Sequence, residues 1–324
     1  MTFWILLAAG LAWLLWYMVA VPGTPYSGPL PPLSEEQAVL RDNLRRHVFA
    51  VGSRERNLWQ PAALEAAARY IEAELARFGY TPAAQRFTAG DIEVRNIEAE
   101  AAGGARAGEI VIVGAHYDSV LGATGANDNG SGVAAVLELA RLARDLKPTR
   151  TLRFVAFVNE EPPFFRSGEM GSRKYARRAR ERGENVIAMF SLETIGYYSD
   201  ARGSQHYPPP FSLFYPDIGN FIAFVANLSS RRLLHEVIAS FRRHAQFPSE
   251  GVAAPAFIPG VDWSDHRSFW SEGYPALMVT DTAPFRYPQY HTAADTPDKV
   301  DFDRLARVVS GLRAMLLDLA GAPE

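Results

Sequence analysis

Residues 109–120 read EIVIVGAHYDSV, an unbroken apolar run that ends in a histidine with an acidic residue two positions on. Similar runs recur at LRFVAFV (152–158), VIAMFSL (186–192) and PALMVT (275–280). Continuous apolar runs of this length suit strands buried on both faces, as in a parallel sheet covered by helices on each side. Segments with helical character alternate with them: SGVAAVLELARLARDL (131–146), the basic SRKYARRARERG (172–183) and DFDRLARVVSGLRAMLLDLAG (301–321), the last capped by Asp301. Upstream, SEEQAVLRDNLRRHVFAV (34–51) opens with Ser34 as N-cap and Glu35 and Glu36 in the first turn. A further helix is expected from Pro61 to Phe78. The alternation predicts an α/β fold of three layers, a mostly parallel central sheet flanked by helices. The sequence shows no internal repeat.

Ligands in such folds bind at the carboxyl ends of the strands, and that is where the reactive side chains fall. His116 and Asp118 follow the first run, Glu160 and Glu161 the second (FVNEE), and Glu193 the third (SLETIGYY). In an extended segment, positions i and i+2 point the same way, so Asp118 can approach the His116 imidazole or its surroundings. Asp128 sits in GANDNGSG, where Gly125, Gly130 and Gly132 let the chain turn before a helix. Two adjacent carboxylates at a strand end repel each other. A cation held by one, with the other free to accept a proton, would justify the pair. His291 precedes the turn-like TAADTP, and the neighbouring Tyr290 carries a phenol able to donate to an oxyanion. Imidazole and carboxylate are the donors that catalytic zinc takes, and a bridging carboxylate with two histidines can hold a metal pair. Asp262, Asp265 and His266 in WSDHRSFW are candidates for groups behind the ligands or lining a substrate pocket. His47, His206, His235 and His244 lack an acidic constellation and read as packing or surface residues.

Composition narrows the class. The 324 residues are 48% hydrophobic with a net charge of −3, which supports a sizeable core and gives no reason to expect a nucleic-acid partner. There is no cysteine, so disulfides, thiolate ligands and a thiol nucleophile are excluded. Residues 3–21, FWILLAAGLAWLLWYMVAV, carry no charge and are long enough to cross a hydrocarbon core of roughly 30 Å. No basic residue precedes them and Met18-Val19-Ala20 is a poor cleavage site, so an uncleaved anchor is expected over a signal peptide. VPGTPYSGPLPPLS (21–34), rich in proline and glycine, reads as an extended stalk. GSQHYPPPFSLFYPDIGNF (203–221) is aromatic and suited to walling a substrate pocket.

These motifs together resemble peptidase family M28, zinc-dependent enzymes that include bacterial aminopeptidases. HYDS, NDNGSG, NEE, SLE and YHT all match, and the resemblance covers roughly residues 60–320. It implies a phosphorylase/hydrolase-like zinc-peptidase fold, expected over residues 34–324; the membrane or signal segment at 1–21, which that fold does not require, and the linker at 22–33 are read from the sequence itself. It implies two zinc ions per chain: His116, Asp128 and Glu193 on one, Asp128, Glu161 and His291 on the other. It makes Glu160 the general base and acid, sets Asp118 to orient His116, and points to a cis peptide after Asp128. Glu193 departs from the pattern, because that ligand is more commonly Asp. The activity implied is hydrolysis of peptide substrates, by preference as an aminopeptidase. The catalytic domain would be held periplasmic or extracellular by residues 3–21, or secreted if they are cleaved. Two other readings stay open: a single-zinc acyltransferase like glutaminyl cyclase, and a membrane-anchored binding domain without catalysis. Tyr290 and the intact NDNGSG favour the hydrolase over the cyclase.

Overall fold

The computed structural model describes residues 2–322. Helix α1 (Thr2–Val19) is followed by α2 (Glu35–Gly52) and α3 (Pro61–Arg77), then strands β1 (Ala83–Ala89), β2 (Ile92–Ala101) and β3 (Arg106–His116). The chain continues through α4 (Gly132–Ala143), β4 (Arg150–Phe157), α5 (Gly171–Glu181) and β5 (Asn185–Glu193). It finishes with β6 (Ile222–Ala226), α6 (Arg231–His244), β7 (Ser249–Ala253), α7 (His266–Ser271), β8 (Ala276–Thr280) and α8 (Phe302–Ala320). The strands form one sheet in the order β1-β2-β4-β3-β5-β8-β6-β7. Its centre is parallel: β3 pairs with β4 and β5, and β5 with β8. The β1–β2 hairpin joins antiparallel at one edge, and β6 joins β8 antiparallel at the other.

The apolar runs of the sequence are these central strands, and their side chains divide by parity. Along β3, Val111, Val113 and Ala115 enter one core cluster, while Ile110 and Ile112 enter another on the opposite face. The larger cluster collects α2, α3, α4, α6 and α8; the smaller holds Tyr175 of α5 and Phe269 of α7. Three layers result. Each fully buried large apolar side chain, such as Phe154 or Phe190, stabilises the fold by roughly 1.5–3 kcal/mol. Ser34 closes a capping box with Gln37 on α2, and the Asp301 side chain accepts the Arg304 N–H on α8. His47 is buried on α2 between Glu138 and Tyr70, a packing role.

The hairpin, β6, β7 and α6 are not among the elements expected from the sequence, although β6 (IAFVA) is apolar throughout and α6 buries Leu233, Leu234, Val237, Ile238 and Phe241 at helical spacing. Helix α1 is long and apolar enough to cross a membrane, and only Met18 of it is buried. The segment after it lies against the domain: Arg242 Nη1 donates to the Pro22 and Gly23 carbonyls, both at 2.9 Å, and Arg307 donates to the Pro31 carbonyl.

Candidate metal centre

Four strand ends and the loop before α4 build the centre. His116 is the last residue of β3 and Glu193 the last of β5. Glu160 and Glu161 leave β4, and Tyr290 and His291 lie on the loop after β8. Asp128 lies in the turn before α4, where the Asp128–Asn129 peptide is cis, as the sequence motif implies.

Asp128 stands between two imidazoles. Its Oδ1 is 3.3 Å from His116 Nε2 and its Oδ2 is 3.0 Å from His291 Nε2. Each imidazole has a second carboxylate beside it: Glu193 Oε2 is 3.3 Å from His116 Nε2, and Glu161 Oε1 is 3.4 Å from His291 Nε2. Glu160 Oε2 is further off, 3.9 Å from His116 Nε2. The predicted ligands therefore fall into two half-sites sharing Asp128, with Glu160 beside them.

Surrounding groups fix these side chains. His116 Nδ1 faces the Asp118 carbonyl at 3.2 Å, and the Asp118 carboxylate at 3.6 Å. That carboxylate also accepts the Glu160 and Glu161 N–H groups at 3.1 and 3.0 Å. Ser264 donates to Glu193 Oε2 at 2.7 Å. The Asp295 carboxylate accepts the Asn127 and Asp128 N–H groups, and Asp281 accepts from the Asn127 side chain. Buried Arg56 donates to the carbonyls of Tyr117, Thr124 and Gly125, gathering the two loops. Arg56, Ser264, Asp281 and Asp295 were not singled out from sequence. Asp281 directly follows β8 and fits the strand-end rule, but Arg56 follows α2 with no signal of its own.

Asp265 is fully buried, its carboxylate unpaired among the described residues, and burial pushes its pKa up to about 6 while the nearby His116 charge pulls it down. His266 meets the Val261 carbonyl at 2.8 Å and the edge of Trp270, and burial lowers it to about 4. It is a neutral packing residue that braces this loop. Asp262 pairs with Arg166 and Arg267. The Tyr290 ring stacks on His291 at 3.8 Å.

The electrostatics of the cluster call for a cation. Burial raises Glu193 and Glu161 to about 7, and raises Glu160 well above the usual carboxylate range, their carboxylate neighbours adding to it. Burial alone would lower His116, yet the carboxylates of Glu193, Asp118 and Asp128 hold it well above its usual value. His291 is likewise lifted to about 10, against burial, by Asp128 and Glu161. Four donor atoms, His116 Nε2, both Asp128 oxygens and Glu161 Oε1, are buried with no hydrogen-bond partner among the described residues. Ligand atoms of His116, Asp128 and Glu161 all lie within 4.8 Å of one another. Buried polar atoms without hydrogen bonds are costly, and a nitrogen–oxygen set without thiolate fits zinc. An apolar pocket adjoins the centre, lined by Glu193 and Tyr290 on one side and by Tyr207, Phe211, Tyr215 and Phe221 of the aromatic segment on the other.

The profile of peptidase family M28 matches residues 96–316. Uncharacterized protein YfbL of Escherichia coli (strain K12) is 43% identical over 218 residues, 64% of this chain and 67% of that one. Leucine aminopeptidase 1 of Arthroderma otae is 27% identical over 229 residues, 66% of this chain and 56% of that one. The chain thus spans between half and about two thirds of these relatives' lengths. Among solved structures, the aminopeptidase from Aneurinibacillus sp. strain AM-1 shares the fold with a TM-score of 0.67 at 20% identity, covering 86% of this chain and 94% of that one. Macrostomum lignano glutaminyl cyclase gives 0.67 at 16% identity, covering 94% and 99%.

Proposed function

The chain belongs to peptidase family M28, and from that premise we propose that it is a zinc-dependent aminopeptidase with a co-catalytic metal pair. The observation that carries this reading is the position of Asp128 between two imidazoles, each with its own further carboxylate. His116, Asp128 and Glu193 would hold one zinc, and Asp128, Glu161 and His291 the other. Bound there, zinc would lower the pKa of a water molecule and polarise the scissile carbonyl.

The chain's own residues supply the rest. Glu160, raised by burial, takes the proton of the attacking water and returns it to the leaving amine. Its affinity for a proton suits both halves of that task. Tyr290 donates its phenol to the developing oxyanion. Asp118 fixes His116 from one side and the Glu160–Glu161 backbone from the other. The aromatic pocket receives an apolar substrate side chain and excludes water around it.

Residues 34–324 form the peptidase domain in this reading, residues 22–33 the linker, and α1 an anchor that keeps the domain on the periplasmic or extracellular side. The deciding experiment measures zinc per full-length chain together with cleavage of free and N-blocked peptides. About two zinc and cleavage of unblocked peptides alone support the aminopeptidase. One zinc, with ammonia released from an N-terminal Gln peptide and no hydrolysis, replaces it with the cyclase reading. No metal replaces it with a binding domain.

A further inference from the structure

The last turn of α1 is built into the domain. Met18, only 5% exposed, belongs to the core cluster that contains Phe211, Phe221, Val225 and Val261, and Leu15 and Val19 pack against it. A helix leaves its final carbonyls unpaired, and a cation there is favourable. Arg231 meets both needs: it donates to the Tyr17 carbonyl at 2.8 Å and the Ala20 carbonyl at 3.2 Å, and its guanidinium lies 4.0 Å from the Tyr17 ring centroid. With Arg242 on the Pro22 and Gly23 carbonyls, the chain enters the domain at a fixed point rather than on a loose tether.

Two loops beside that point end in apolar side chains exposed to solvent. Leu213 and Phe214, 79% and 43% exposed, stand between Phe211 and Tyr215, both members or neighbours of the Met18 cluster. Phe257, 86% exposed, precedes Ile258, which packs on the same cluster. A single exposed apolar residue needs no explanation. All three lie within two residues of a side chain in or packed against the cluster that seats the last turn of α1, and the large side chains of that helix from Phe3 to Leu14, with Trp16, are themselves exposed.

We propose that the loop tips carrying Leu213, Phe214 and Phe257 enter the surface of the lipid bilayer that α1 crosses, so that the domain lies against the membrane with its aromatic pocket beside it. The proposal rests on the reading of α1 as a membrane anchor. A bilayer fits these tips better than a protein partner, because the residues beside them pack with the last turn of a helix long and apolar enough to cross a membrane.

The absence of cysteine gives a clean test. Full-length Leu213→Cys and Phe257→Cys variants would each carry one environment-sensitive nitrobenzoxadiazole label and be reconstituted into phosphatidylcholine vesicles. Trp4→Cys reports on α1, and Arg69→Cys, exposed on α3 near the opposite sheet edge, reports on solvent. Lipids bearing a nitroxide near the headgroup are expected to quench the labels at 213 and 257 several-fold more than the label at 69. Labels at 213 and 257 that match the label at 69, while the label at 4 is quenched by acyl-chain nitroxide, overturn the proposal and leave the anchor standing. A label at 4 that stays in water overturns the anchor reading and the proposal with it. A blue shift at 213 and 257 that no nitroxide lipid quenches assigns the surface to a second copy of the chain, which also overturns it.

Discussion

Asp118 holds Glu161 by the backbone: the Glu161 N–H donates to Asp118 Oδ2 at 3.0 Å, so the loop leaving β4 is registered against the segment leaving β3. The other oxygen takes the Glu160 N–H. Asp118→Asn replaces one acceptor with a donor that faces an N–H. We expect kcat/KM to fall about 10–100-fold, the range typical of groups supporting a metal ligand. Rates within twofold of wild type in a folded variant would show the backbone pair to be incidental.

Glu160→Gln keeps size and hydrogen bonding but cannot accept a proton. With Glu160 as the base, kcat drops by about 10²–10⁴-fold. Zinc content stays unchanged, because Glu160 is the carboxylate furthest from the imidazoles. Loss of zinc alongside activity would make it a ligand instead.

Asp128 and His291 separate the two half-sites. His291→Ala should lower zinc content by one equivalent, and Asp128→Ala, which removes the shared carboxylate, should lower it by two. Plasma mass spectrometry on the purified chain reads both. Two zinc retained in each variant would sink the ligand set.

Glu250 on β7 offers a pH signature outside the centre. Burial raises its pKa to about 7 from 4.5, with Arg242 only partly opposing. The folded chain therefore holds this proton more tightly than the unfolded one. Stability from Glu250 is full below pH 4.5 and falls as pH climbs through 7. Glu250→Gln should melt with wild type at pH 5 and above it at pH 8, by about 2–4 °C for each kcal/mol recovered. An equal difference at both pH values would exclude the effect.

Gly125 adopts φ +65°, and a Cβ there would lie 2.3 Å from the Asp128 carbonyl oxygen. Gly125→Ala should cost more than about 1 kcal/mol and misplace Asp128, because both the backbone conformation and the space are denied. Thermal melting with zinc content tests it; unchanged values in both would contradict the contact.

The parallel centre was legible because each of its strands is buried on both faces, which leaves runs such as EIVIVGA with no polar interruption. The edge strands escaped for the opposite reason. In β1 only Ala89 is buried, and exposed positions alternate with partly buried ones, so the sequence AAQRFTA carries little core signal. His116, Glu160, Glu161 and Glu193 were readable because each ends or closely follows a strand, whereas Asp128 and His291, on loops, were readable from their motifs alone. The groups that hold them were harder to see. Asp295 looks like an ordinary turn residue in TAADTP until the fold sets its carboxylate under the Asp128 backbone. Arg56 gives no cue at all, since its task is to satisfy carbonyls from two other loops.

Phe211, Phe221, Val261 and Met278 line the aromatic pocket and pack in the same cluster as Met18. Helix α1 and the aromatic pocket therefore share a partition. A bulkier residue in the last turn of α1 presses on it, and a smaller one leaves a void into which the aromatics relax. A change of size at position 18 is thus felt at the pocket wall, although some two hundred residues of sequence lie between them. Replacing residues 1–20 would therefore alter the shape of the pocket as well as the point at which the chain enters the domain.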